Sequence, residues 1–176
     1  VAALNLFAKN IEATGSPNGE RIVSALQGTA RKLSLPGNPI EISGTKIDGT
    51  DFNITELKGK VVLVDFWATW CAPCIEEMPD LQKVQLEYAE RGVTIVGVAI
   101  DNASAVKRFR DEQNVGLPLL IAGAAGTELV RQLGNASGAL PYTVLVDRSG
   151  SAAGSFVLKD RLGLAWGRRL DSAASI

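Results

Sequence analysis

Two stretches of this chain leave little freedom in how it can fold. Val61-Val62-Leu63-Val64-Asp65-Phe66 and Val93 to Ile100 are apolar and β-branched on successive residues, not on alternate ones. Side chains along a strand point to opposite faces in turn, so a strand that is apolar throughout must be covered on both faces. Such runs belong in the middle of a sheet flanked by helices. The intervening segments have the matching period. From Cys71 to Arg91 the residues Ile75, Met78, Leu81, Val84 and Tyr88 fall on one side of a helix, with Gly92 as its stop. Asn102 to Gln113 reads as a helix with Val106 and Phe109 inward, Leu117 to Ile121 as a short strand, and Thr127 to Leu133 as a helix ended by Gly134.

Hairpin signals lie at both ends of this alternation. Asp48-Gly49, flanked by Ile40, Ile42, Ile47, Phe52 and Ile54, predicts one, and Thr55 to Gly59 a single helical turn after it. Tyr142 to Val146, the turn Asp147-Arg148-Ser149-Gly150 and Ala152 to Leu158 predict another, before a closing helix over 160–170 through Leu162, Trp166 and Leu170. The expectation is an α/β fold, a central mixed sheet with helices on both faces and antiparallel strands at one edge. Residues 39–176 form the domain. Residues 1–38 are an N-terminal extension or linker, in which Glu20 to Leu33 fits either a helix or a strand.

Composition removes whole classes of function. The chain contains no histidine, which excludes Ser-His-Asp and Cys-His catalysis and histidine-ligated metal sites. Its two cysteines cannot make a four-cysteine zinc site, so neither metal nor other cofactor is expected. A net charge of −1 gives no electrostatic drive toward nucleic acid or anionic lipid. The longest apolar runs fall far short of the roughly 18–20 residues of a membrane-spanning helix. Val1 is not an initiator Met, and Lys9 follows the short apolar run Ala2–Ala8 instead of preceding it. A removed leader or anchor and a trimmed chain are both open.

The chemistry is concentrated in Asp65-Phe66-Trp67-Ala68-Thr69-Trp70-Cys71-Ala72-Pro73-Cys74. Two cysteines three positions apart at a strand-to-helix junction are placed for a small redox-active disulfide ring. Cys71 falls near the helix N-terminus, where unpaired N–H groups and the helix dipole favour a thiolate. Cys74, one turn further in, can resolve a mixed disulfide formed by Cys71. Pro73 suits the first turn, where no N–H is needed.

Trp70-Cys71-Ala72-Pro73-Cys74 after Val64-Asp65-Phe66-Trp67-Ala68 resembles the active-site motif of the thioredoxin superfamily. The lead-in Leu57-Lys58-Gly59-Lys60 behind a hairpin, and Glu77-Met78-Pro79 after the second cysteine, resemble its TlpA/ResA-like branch of extracytoplasmic thiol–disulfide reductases. The resemblance covers about residues 39–175. It implies a cis bond before Pro141, with Leu140 offering its backbone to an extended substrate. An ordinary strand-opening proline is the plain alternative. It implies substrate contacts at Trp70, Ala72 and Pro73, and a periplasmic or other extracytoplasmic location. The implied partners are protein dithiols and disulfides, with a membrane thiol-transfer protein as electron donor, and a monomer is expected. By match to thioredoxin itself, Asp65 is the proton acceptor for Cys74, although the TlpA/ResA branch commonly has Asn there. The alternative is a buried polar residue satisfied by hydrogen bonds.

Other residues read as structural. Glu76 and Glu77 are expected to be solvated, Pro79 to kink its helix, and Trp67 either to line the site or to fill the core. The leading function is reduction of protein disulfides through Cys71 and Cys74. A disulfide-forming oxidase would be expected to carry a basic residue where Ala72-Pro73 stands. An inert structural bridge closing so small a loop would constrain the unfolded chain little.

Overall fold

The computed structural model describes residues 34–156, together with Ala2 and Lys9. The segment 20–33, the expected helix 160–170 and the end of the expected strand 152–158 lie outside the described residues. The strands are β1 (Ser43–Lys46), β2 (Asp51–Asn53), β3 (Val61–Trp67), β4 (Val93–Ala99), β5 (Leu119–Ile121), β6 (Tyr142–Val146) and β7 (Ala152–Phe156). The helices are α1 (Ala72–Tyr88), α2 (Ala103–Gln113) and α3 (Ala125–Gln132). One sheet holds all seven strands in the order β2-β1-β5-β4-β3-β6-β7.

The two doubly apolar runs stand side by side, as their patterning requires. β3 pairs in parallel with β4, Asp65 opposite Gly97, and antiparallel with β6, Asp65 opposite Thr143. Every residue of β3 is buried. Its odd-numbered side chains join α1 and α2 in one core, with Val61, Leu63 and Trp67 against Met78, Leu81, Val106 and Phe109. The even-numbered ones, Val62, Val64 and Phe66, join Val130 and Leu133, at and just past α3, on the other face. The hairpin at Asp48-Gly49 joins β1 to β2, with the Asp48 carboxylate accepting from the Thr50 N–H and hydroxyl.

α1 runs through Pro79 and passes into a 3-10 turn, Ala89–Arg91, that ends at Gly92 with φ +79°. A left-handed backbone there explains why the stop is glycine. β5 reaches only residues 97–99 of β4, and a side chain of α1 serves the rest. Gln85 Oε1 accepts from the Ile95 N–H at 2.7 Å, and Gln85 Nε2 donates to the Val93 carbonyl at 3.3 Å. Gln82 similarly accepts from the Gly116 N–H at 2.8 Å. Buried backbone groups need partners, and here the helix supplies what a neighbouring strand would.

Residues 34–38, placed by sequence in the extension, are bonded to the sheet. Leu35 is part of the core. The Gly37 N–H donates to the Ala152 carbonyl and the Ala152 N–H to the Asn38 carbonyl, each at 2.8 Å. This segment covers the start of β7.

Gly97 is a point of close approach. A Cβ there would lie 2.7 Å from Leu119 Cδ2 and 3.0 Å from Trp67 Nε1, both in the packed core. Gly97→Ala is expected to destabilise the protein by about 1–3 kcal/mol through overpacking. The urea midpoint should fall at unchanged slope, and an unmoved midpoint would show that the core has slack at this position.

Candidate active site

The path from β3 to α1 is a tight turn. β3 ends at Trp67, and the Cys71 N–H donates back to the Ala68 carbonyl at 3.1 Å, so Thr69 and Trp70 form the tip. Cys71 is the N-cap of α1 in extended conformation, its carbonyl accepting the first helical bond from the Ile75 N–H, and Pro73 stands in the first turn. Cys71 and Cys74 are joined as a disulfide, Cα atoms 5.3 Å apart. The two cysteines differ in access. Cys74 is fully buried, whereas Cys71 keeps 6% of its surface exposed. Around Cys71 the surface is formed by Trp70, 69% exposed, and by exposed Ala72 and Pro73.

The Leu140–Pro141 peptide bond is cis and opens β6. Half-buried Leu140 packs against the core cluster that contains both cysteines. Thus the turn 68–71 and the first turn of α1 carry the disulfide, and Leu140, in the loop before β6, packs on the same core cluster. The two tryptophans divide their roles. Trp67 has no exposed surface and packs on Phe109 with ring centroids 5.1 Å apart, so it belongs to the core, while Trp70 belongs to the rim.

Two carboxyl groups, one on β3 and one on α1, are withdrawn from solvent. Asp65 is 1% exposed; its Oδ1 accepts from the Thr143 hydroxyl at 3.0 Å, a contact set by the β3–β6 register, and its Oδ2 has no partner. Hydrogen bonding therefore satisfies only half of this buried group. Glu77 was expected to be solvated, and the structure corrects this. It is half-buried, and its Oε1 is a buried atom without a hydrogen-bond partner. The reason is helical register: Glu77 is three residues after Cys74 and four before Leu81, both on the sheet-facing side of α1. That spacing was available in the sequence, but two adjacent glutamates early in a helix read as a solvated pair. Glu76 is indeed exposed.

Burial drives both groups toward the neutral form. Desolvation raises the Asp65 carboxyl to about 7, against a smaller opposing effect of the Thr143 hydrogen bond. Desolvation, reinforced by the negative charge of Asp65, raises Glu77 to about 9. Two like charges in so dry a place are unfavourable, so near neutral pH the pair retains a proton. Among the described residues no group of three or more Cys, Asp and Glu is placed to hold a metal ion.

The Redoxin family profile matches residues 34–163. The chain belongs to the Redoxin family. It is 35% identical over 107 residues to the thiol-disulfide oxidoreductase ResA of Bacillus thuringiensis (strain Al Hakam), covering 60% of each protein. It is 39% identical over 79 residues to the thioredoxin-like protein YneN of Bacillus subtilis (strain 168), covering 43% of this chain and 46% of YneN. The match thus spans about 60% of the first of these relatives and less than half of the second. A thioredoxin-family thiol:disulfide interchange protein from Chlorobium tepidum TLS superposes with a TM-score of 0.67 at 33% identity, covering 79% of this chain and 97% of that one. The expected thioredoxin-like fold is therefore the observed one, and the chain is a Redoxin-family member akin to thiol–disulfide oxidoreductases.

A carboxyl raised by folding stabilises the protein below its unfolded pKa and loses that contribution as pH rises through the folded value. For Asp65 and Glu77 the decline runs from about pH 4 up through about 7 and 9. Asp65→Asn, which keeps an acceptor for Thr143, should flatten this decline and gain on the order of 2 kcal/mol at pH 9. Urea unfolding across pH 4–9 measures it, and a variant curve parallel to the wild type would rule the coupling out.

Proposed function

We propose that this protein reduces disulfides of other proteins by cycling Cys71 and Cys74 between dithiol and disulfide. The observation that carries the reading is the asymmetry of the pair: Cys71 at the helix N-cap with a sliver of exposure, Cys74 wholly buried. In the reduced state the Cys71 thiolate, favoured by the helix N-terminus, attacks a substrate sulfur. The substrate S–S bond breaks, a Cys71–substrate disulfide forms, and the departing thiolate takes a proton from water. Cys74 then gives its proton to a carboxylate of the Asp65–Glu77 pair and attacks Cys71 Sγ, releasing the second substrate thiolate. Two electrons have passed to the substrate, and the Cys71–Cys74 bond is restored.

Asp65 is the acceptor in this reading, and Glu77 joins it because its buried oxygen has no other partner. Trp70, Ala72 and Pro73 form the docking rim, with the Leu140 backbone and cis-Pro141 on the far side. The family resemblance supports the finer points: an extracytoplasmic site of action, a membrane thiol-transfer protein as donor, a place in cytochrome c maturation or metal-centre assembly, and a monomer. Among the described residues no helix is long and apolar enough to cross a membrane.

The reduction potential of the pair tests the direction. Equilibration in dithiol and glutathione buffers is expected to give a value below about −200 mV, and one near −120 mV would mean an oxidase. Cys74→Ser should trap the Cys71–substrate disulfide, visible as a mass adduct, whereas Cys71→Ser should abolish exchange. Asp65→Asn combined with Glu77→Gln should slow the resolving step by about 100-fold in stopped-flow without changing the first attack.

A further inference from the structure

The turn that carries Trp70 and Cys71 is held from outside its own chain segment. Thr69, at the tip, directs both its donors at one atom: the backbone N–H reaches Asp101 Oδ2 at 3.2 Å, and the Thr69 hydroxyl donates to the same oxygen. Asp101 lies just beyond β4, 32 residues away in sequence. Its other oxygen is also engaged. Oδ1 accepts from the Asn102 N–H at 2.7 Å and from Asn102 Nδ2 at 3.2 Å. Asn102 is in turn the N-cap of α2, its Oδ1 accepting from the Ala105 N–H at 2.9 Å. One carboxylate thereby ties the tip of the active-site turn to the first turn of α2.

We infer that Asp101 is a positioning residue, whose clamp on Thr69 sets where Trp70 and Cys71 stand when an extended substrate docks. Trp70 is the residue most in need of such a fixture. It follows Thr69 directly, projects with 69% of its surface in solvent, and so has little packing to hold it. The Ala68–Cys71 hydrogen bond closes the turn but does not anchor its tip to the rest of the molecule. The carboxylate is in the state that accepts best. Although partial burial opposes ionisation, the hydrogen bonds from Thr69 and Asn102 outweigh it and hold Asp101 below the usual carboxylate range. The inference rests on thiol–disulfide exchange at Cys71 and adds a determinant of how substrates are received there.

The experiment compares two oxidants of the reduced protein. Glutathione disulfide is small and reports the reactivity of Cys71. A peptide disulfide of about 15 residues must lie across Trp70 and Leu140. Asp101→Ala is expected to slow reaction with the peptide about tenfold while leaving glutathione disulfide within twofold. Asp101→Asn, whose amide oxygen can still accept from Thr69, should recover most of the loss. Thr69→Ser should match the wild type, and Thr69→Val, which keeps the N–H alone, should fall between. Equal slowing with both oxidants would place the effect on the thiol or the fold and overturn the inference, as would no slowing with either. Should Asp101→Ala fail to fold, the Thr69→Val and Thr69→Ser pair decides by the same ratio. A wild-type protein inert to both oxidants would instead overturn thiol exchange itself.

Discussion

Burial of β3 on both faces is the constraint from which the site follows. A strand in that position has no solvent to turn toward, so every side chain it carries must be matched by a neighbour. Four apolar residues and Phe66 meet this condition by packing, and Trp67 meets it except at its buried indole N–H, which has no acceptor. Asp65 does not, and one hydroxyl from β6 is all that it receives. The strand also decides where the chain leaves the sheet: past Trp67 it turns once and enters α1, which brings the cysteines over the face that Asp65 occupies. Redox pair and carboxyl are thus placed by a single seven-residue element.

Retaining unsatisfied polar atoms in a core works against stability, and under the proposed function the compensation is chemical. The desolvation that makes an ionised Asp65 unfavourable also brings its affinity for protons into the neutral range, where accepting a proton from a thiol is feasible. Glu77 extends this. A lone buried carboxyl offers one protonation step, whereas two coupled ones spread protonation over a wider span of pH. The branch this chain resembles commonly has Asn where Asp65 stands; here the aspartate and the helix glutamate occur together.

Most of the fold was legible in the sequence because its signals are local. β-branched runs marked β3 and β4, Asp48-Gly49 marked the first hairpin, and Gly92 marked the end of the long helix. The cysteine pair and its flanking tryptophans carried the chemistry for the same reason. What escaped depends on packing between distant segments. Glu77 becomes part of the site only when α1 is docked so that Cys74 and Leu81 face the sheet. The Thr69–Asp101 clamp joins residues that have no periodic relation. Gln82 and Gln85 lie outside the apolar stripe of α1, and no local pattern pairs them with the backbone of Gly116 and of Val93 and Ile95, to which they hydrogen-bond. Leu35, within the segment read as an extension, packs into the core, a contact that the Pro-Gly cluster beside it does not signal, since turn residues mark a change of direction and not the limit of a core.

The glutamines of α1 have a mechanical consequence. Because Gln85 is bonded to β4 and Gln82 to the segment before β5, the distal half of the helix behaves as a shaft set in a socket. It can neither slide nor rotate without undoing hydrogen bonds at the sheet. Any rearrangement of the first turn, where both cysteines stand, must therefore take place against a fixed distal half.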